Sequence, residues 1–246
     1  MPPGRYVRRR EKEQKRRGVS MKKIIGFIPA RGGSSRVPKK NLKNIAGVPL
    51  FLRACYNLNQ VLDKKDIVVD SDDVEILTMA ESHGFSILKR PGELATNATD
   101  GNSFFRWETS NYPDADIYIQ HLPPMPFLSK ETIEKGLNAL AQGYDSIVCV
   151  GKEHFYLWDG AKQIPLYDLA HIPNSFTLPE TVFETMGFYM ITGQAHQKTG
   201  LRIGENYKFI ELNKFEQVDI NYPDDFALAE AIACGLKPDS AYCLKI

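Results

Sequence analysis

Arg31, Arg36, Lys39 and Lys40 crowd a short glycine- and serine-rich stretch directly behind the apolar run Ile24, Ile25, Gly26, Phe27, Ile28, in the segment IIGFIPARGGSSRVPKKNL. The apolar run reads as a buried strand. Small residues after it let the backbone approach a ligand and turn its N–H groups inward. Four cations at the carboxyl end of a parallel strand sit where open α/β sheets bind ligands. The chemistry this suits is the holding of a polyphosphate. A solvated basic loop would explain scattered lysines, but not Arg–Gly–Gly–Ser–Ser behind five apolar residues. The stretch contains neither G-x-x-x-x-G-K-[ST] nor G-x-G-x-x-G, which excludes a P-loop and a dinucleotide fingerprint.

A second candidate group stands near the other end, in VDINYPDDFALAEAI. With Val218–Ile220 read as a strand, Asp219 and Asn221 are two residues apart and share one face, a geometry for two ligands on one metal ion. Asp224 and Asp225 suit the start of the following helix and its dipole. His121, His154 and His171 are isolated in sequence and read as packed or surface side chains, with His121 nearest the inferred pocket.

Positioning these groups requires a sheet. Helical periodicity over Pro49–Val61, a strand at Ile67–Asp70 and an amphipathic helix over 73–83 stopped by Gly84 follow the loop. Phe85–Leu88 is a short strand, 101–109 a helix and Ile117–Gln120 another strand. Ser129 caps a helix that Gly143 closes, with Thr132 where a capping box would place Glu. Ile147–Val150, Phe188–Ile191 and Val218–Ile220 read as strands, and Pro223–Gly235 as the final helix. Strand and helix alternating from 24 to 150 predict an α/β fold with a doubly wound, mostly parallel sheet. Residues 151–185 break the rhythm with Phe155, Tyr156, Trp158, Tyr167, Phe176 and Phe183, and read as an excursion that covers the pocket or pairs with another subunit.

At 246 residues the chain can bury a substantial core. Its net charge of +1 hides an asymmetry: residues 1–20 hold eight Arg or Lys against two Glu, and the rest holds 23 basic and 28 acidic side chains. A mildly acidic body argues against nucleic acid as its partner. The basic stretch 1–20 is expected to be a disordered tail, with residues 21–246 forming the folded domain. Without a run of about 18 apolar residues, no membrane span is expected. Cys55, Cys149, Cys234 and Cys243 are widely spaced, which suits a reducing cytoplasm better than a disulfide framework.

ARGGSSRVPKKNL resembles the opening motif of sugar nucleotidyltransferases, and in particular A-R-x-G-S-K-G-[IL]-P-x-K-N of the acylneuraminate cytidylyltransferases, which make CMP-sialic acids. Three further segments are similar to that family's motifs in order. VVDSDDVEIL resembles V-S-T-D-D-x-E-I, KRPGELATNATDG resembles R-P-x-E-L-A-x-D-x-A, and VDINYPDDFALAEAI resembles D-I-D-T-x-x-D-F-x-L-A-E. The resemblance spans about residues 22–236. It implies a nucleotide-diphospho-sugar transferase-like fold, a cytoplasmic homodimer, and transfer of CMP from CTP to a sugar-acid hydroxyl with Mg²⁺ and release of pyrophosphate. It implies catalytic roles for Arg31, Lys40 and Asp219, and nucleotide contacts from Ala30, Gly32, Gly33, Ser34, Arg36, Asn41 and Arg90. Asp219 and Asn221 would hold the metal, and Gln120, Leu122 and Tyr189 the acceptor.

The sequence also departs from the pattern. Asn221 replaces a carboxylate, which weakens metal affinity. Arg36 stands one position after the expected lysine, as in synthetases of CMP-activated KDO. In the acceptor half, Leu122 stands at the glutamine position with Gln120 two residues early, and Leu128 at an arginine position. Ser175 or Phe176 stands where a basic residue suited to a sugar carboxylate is expected. Such changes imply a changed acceptor, with KDO, a phosphonate or another nonulosonate as alternatives, or a nucleotide-sugar binding protein without turnover.

Overall fold

Apolar residues on both sides of a strand demand cover on both faces, and the sheet is built around strands of that kind. The computed structural model describes residues 22–237, 240–242 and 244; the basic stretch 1–20, Met21 and Cys243 lie outside the described residues. The chain runs β1 (Ile24–Pro29), a hairpin of β2 (Asn44–Ile45) and β3 (Val48–Pro49), α1 (Leu50–Asn59), β4 (Ile67–Ser71), α2 (Val74–Ser82), β5 (Ser86–Lys89) and α3 (Gly101–Ser110). It continues through β6 (Ile117–His121), α4 (Lys130–Ala141), β7 (Ser146–Glu153), a pair of β8 (Trp158–Asp159) and β9 (Ile164–Pro165), β10 (Thr181–Thr192), α5 (Gly193–Thr199), β11 (Tyr207–Glu211) and α6 (Pro223–Gly235).

Seven strands form one sheet in the order β11-β7-β10-β6-β1-β4-β5. β1 pairs in parallel with β4 and β6, and β10 runs antiparallel between β6 and β7. The fold is therefore α/β and mostly parallel, as expected. The chain steps from β1 outward to β4 and β5, then returns to place β6 on the other side of β1. That reversal opens a crevice at the carboxyl ends of β1 and β6.

One face of the sheet carries Ile28, Val69, Ile119 and Met190 beneath α1, α2 and α4. The other carries Phe27, Val68, Tyr118 and Ile191 beneath Phe105 of α3 and Ala195 of α5. Burying each such large side chain contributes about 1.5–3 kcal/mol. Gly26 is needed where α1 comes closest: a Cβ there would stand 2.7 Å from Leu58 Cδ1. A third cluster of Ile45, Leu50, Phe127, Ile220 and Ala229 ties α6 and the β2–β3 hairpin to the body.

One expectation needs correction. Residues 218–220 form no strand: Ile220 donates its N–H to the Pro124 carbonyl at 2.9 Å and its side chain is buried in the third cluster. A short segment pinned by one bond and one apolar anchor needs no ladder. β11 and α5 carry too little periodicity to be read in advance, and β11 has Tyr207, Lys208, Phe209 and Glu211 exposed with only Ile210 buried. Ser129 does cap α4, accepting from Thr132 N–H at 3.2 Å, but the carboxylate completing the cap is the buried Glu216, which accepts from Ser129 N–H and Oγ–H at 3.0 and 2.7 Å. No helix among the described residues is long and apolar enough to cross a membrane.

Candidate functional site

The loop after β1 is held in place by its own backbone before any ligand is considered. Ala30 N–H donates to the Asp70 carbonyl at 2.8 Å, Ser71 Oγ–H to the Ala30 carbonyl at 2.6 Å, and Asn41 Nδ2 to the Arg31 carbonyl at 2.9 Å. These bonds stitch the ends of β1 and β4 together and fold residues 30–41 back on themselves. Lys39 turns the chain in the left-handed region at φ 52°. Around this loop lies a cavity of about 310 Å³, lined by Arg31, Gly33, Ser34, Arg36, Lys40, Asn41, Arg90 and Leu122 among the residues singled out from sequence, together with Asn97, Phe104 and Pro124.

The two motifs that stand far apart in sequence meet here. Arg36 donates to Asn221 Oδ1 at 2.6 Å and lies over the Tyr222 ring at 5.2 Å. Lys40 Nζ donates to the Ile220 carbonyl at 2.8 Å, between the two expected metal ligands. Asn221 Nδ2 in turn donates to Asp219 Oδ2, so those side chains do lie side by side although no strand sets them there. Asp225 accepts from the N–H groups of Asn221 and Tyr222, both at 2.7 Å, which fixes the turn into α6.

Electrostatics follow from this crowding. Burial pulls the Lys40 ammonium below its usual range against the attraction of Asp219, and Arg36 and Arg31 lower it further. Burial lifts the Asp219 carboxyl above its usual range against the Asn221 hydrogen bond and the pull of Lys40. Arg31 donates to Asn97 Oδ1 at 2.7 Å. Asn97 and Asn221 both occupy carboxylate positions of the motifs quoted above. Each accepts from a loop arginine without cancelling its charge, so the cavity keeps its positive field for an anion.

Some expected contacts are not made. Ala30 is fully buried in the core, and neither it nor Gly32 lines the cavity. Gly32 N–H is taken by Asp72 Oδ1 at 2.9 Å, and glycine is required there because a Cβ would stand 2.6 Å from Asp73 Oδ2. Gly33 has nothing within 4 Å of a built Cβ, so its side is open. Arg90 is buried: its Nε lies 3.0 and 2.9 Å from the two oxygens of Asp70, and its guanidinium stacks 5.0 Å from the Phe104 ring centroid.

Beneath Arg90 runs a buried polar chain that sequence alone did not disclose. Glu108 of α3 lies against Asp70. Burial, then repulsion from Asp70, raises the Glu108 carboxyl well above its usual range, and burial raises Asp70 despite Arg90. Two carboxyls crowded together out of water each disfavour the charge of the other, and Glu108 Oε1 has no hydrogen-bond partner. Glu108 Oε2 accepts from Gln120 Nε2, and Gln120 Oε1 accepts from Arg202 at 3.2 Å. Gln120 faces Tyr189 across the β6–β10 ladder, and both are buried. Of the three expected acceptor residues, only Leu122 lines the cavity directly.

His121 is a packing residue. Its Nδ1–H donates to the Gly187 carbonyl, its Nε2 accepts from Asn57 Nδ2, both at 3.3 Å, and burial lowers its pKa from 6.5 to about 4. His154 Nδ1 donates to the Leu178 carbonyl at 2.7 Å, and His171 pairs with Asp168 on the surface. Among the described residues no group of three or more His, Cys, Asp or Glu is arranged to hold a metal by itself. Asp219 and Asn221 bring one carboxylate and one amide oxygen together, and the amide oxygen accepts from Arg36.

Comparison with known proteins places these features in a family. The sequence pattern of the family described as Cytidylyltransferase matches residues 25–163. The pseudaminic acid cytidylyltransferase of Campylobacter jejuni is 38% identical over 70% of this chain and 80% of its own length. The CMP-N,N'-diacetyllegionaminic acid synthase of Legionella pneumophila is 28% identical over 85% of this chain and 96% of its own. The N-acylneuraminate cytidylyltransferase of Oncorhynchus mykiss is 29% identical over 84% of this chain, and this chain spans about half, 49%, of its length. A CMP:2-keto-3-deoxy-manno-octonic acid synthetase solved with CTP superposes with a TM-score of 0.63 at 16% identity, over 86% of this chain and 98% of its own, a likeness of fold.

Proposed function

The chain belongs to the cytidylyltransferase family, and we propose that it transfers CMP from CTP to the hydroxyl of a nonulosonic sugar acid, releasing pyrophosphate. The observation that carries this reading is the meeting of Arg36 and Lys40 with the Asp219–Asn221 turn, 185 and 180 residues away in sequence. A triphosphate laid along the loop contacts Arg31, Arg36 and Lys40, with Asp219 at its reacting end. In the reaction the acceptor oxygen forms a bond to the α-phosphorus, the bond from that phosphorus to the bridging oxygen of the β-phosphate breaks, and pyrophosphate leaves as the hydroxyl proton is released.

Each residue has a defined part. Arg31 and Arg36 meet the charge of the phosphates, and their amide partners leave that charge free to act. Lys40 is tethered to the Ile220 carbonyl, which points a partly buried ammonium at the same place. Arg90 and Phe104 form a flat wall suited to the base, with Arg90 locked by Asp70 so that it arrives pre-oriented. Asp219 and Asn221 Oδ1 are the groups that would hold magnesium, which supplies further neutralisation of phosphate charge when bound. The exposed aromatic excursion is assigned to contact with a second copy.

Pyrophosphate release by purified protein tests the reading, with CTP compared against UTP, ATP and GTP and with N-acetylneuraminic, pseudaminic and di-N-acetyllegionaminic acids as acceptors. CTP-specific release with at least one acid is expected, and R31A should lose about 10²–10³ in kcat/KM. Nucleotide binding without release under any pairing would overturn the catalytic reading. Full activity in R31A would remove the role of the loop.

A further inference from the structure

We propose that Arg202, on the connection between α5 and β11, is the residue that binds the carboxylate of the acceptor, replacing the cation missing from the aromatic segment. The inference rests on the proposed transfer to a sugar acid and names the group that would recognise it. In such acids the carboxylate sits on the carbon that bears the reacting hydroxyl, so fixing it fixes the attacking oxygen to within one bond rotation.

Several independent features converge on Arg202. Its guanidinium donates to Gln120 Oε1 at 3.2 Å and lies 4.3 Å from the Tyr189 ring centroid, which orients its plane against the pair that the sheet register sets side by side. Among the described residues it forms no ion pair within 4.0 Å, although it is half-buried. Gly101 leaves space for it: a Cβ there would stand 2.3 Å from Arg202 Nη2 and would displace the guanidinium from this position. Asn102 Oδ1 accepts from Arg202 N–H at 3.0 Å and anchors the backbone as well.

The location matches the site. Gly101 and Phe104 are three residues apart, hence neighbours on one side of α3, and Phe104 lines the cavity. Arg202 therefore stands one helical turn from the nucleotide wall, at its acceptor side. An arginine with amide and aromatic partners but no carboxylate keeps its planar fork ready for a bidentate anion. The basic position expected near Leu178–Pro179 is filled by Ser175 and Phe176, and Phe176 is 73% exposed, so that segment offers no cation of its own there.

Steady-state kinetics of the full chain with R202Q and R202K test the assignment. The acceptor is whichever of the three acids the wild type uses best, compared with its neutral carboxamide. For R202Q the acceptor KM should rise about 10- to 100-fold while the CTP KM is unchanged, with R202K recovering part of the loss. Wild type should discriminate between acid and carboxamide, and R202Q should treat them nearly alike. An R202Q enzyme that keeps the wild-type acceptor KM, or discriminates as the wild type does, overturns the role of Arg202 and leaves the transfer reaction standing. If R202Q does not fold by near-UV circular dichroism, an unaltered acceptor KM in R202K overturns it equally. Absence of pyrophosphate release by wild type with every acid sinks the parent reading, and this assignment with it.

Discussion

Two asparagines shape the candidate site at the level of single residues. Asn97 and Asn221 each accept a hydrogen bond from a loop arginine, at 2.7 and 2.6 Å. An aspartate at either place would form an ion pair with that arginine and reduce the field available to a triphosphate. The amides position the guanidiniums without spending their charge. The cost falls on the metal, since Asn221 offers a neutral oxygen beside the single carboxylate of Asp219. N221D should therefore lower the magnesium concentration that half-saturates pyrophosphate release at fixed CTP, by at least about fivefold if the added charge is worth about 1 kcal/mol. A magnesium titration showing an unchanged or raised midpoint would count against Asp219 and Asn221 as the metal-side pair. Both asparagines were plain in the sequence, but their arginine partners were not: residues 66 and 185 positions apart carry no pairing signal.

Among the elements, the β8–β9 pair and the chain around it differ from the rest of the molecule. Phe155, Trp158, Ile164, Leu166, Ile172 and Phe176 are all exposed there, with Trp158 at 51% and Phe176 at 73%. The segment holds itself together through ring contacts, Tyr156 and Trp158 each meeting Tyr167 at 5.1 and 6.1 Å, and through Tyr156 Oη donating to the Pro173 carbonyl at 2.7 Å. Exposed apolar side chains at this density are the basis for the proposed contact with a second copy. Sedimentation velocity should give a dimer for the wild type at micromolar concentration, and W158E combined with F176E should shift it to monomer with the far-UV spectrum intact. A monomeric wild type would remove this element from the assembly and leave its aromatics without an assigned partner. The alternation break was legible in sequence. Its antiparallel return as β10 was not, because a twelve-residue strand that is apolar only in its second half reads as a short one.

For the whole molecule, stability is tied to pH through the buried His121. The folded state keeps its imidazole neutral, with a pKa lowered from 6.5 to about 4 by burial. Between those values the unfolded chain binds a proton that the folded chain does not, so stability rises with pH there and falls as pH drops below 6.5. The contribution is fully present above 6.5, and about 2 kcal/mol is lost between pH 7 and pH 5. Urea unfolding across that range should show the slope, and H121Q should flatten it by that amount; an equal slope in both proteins would place the proton elsewhere. The sequence by itself determined the strand-and-loop origin of the site, the crowding of cations there and the alternation that makes an α/β sheet, because local periodicity, small residues and charge are properties of neighbours along the chain. Tertiary structure alone decided that residues 36 and 40 touch the turn at 219–221, that Arg90 pairs with Asp70, and that Glu108 and Arg202 join Gln120. Those pairings arise where the order of strands reverses and helix α3 closes over the sheet, so they depend on how distant segments pack rather than on what any one of them spells.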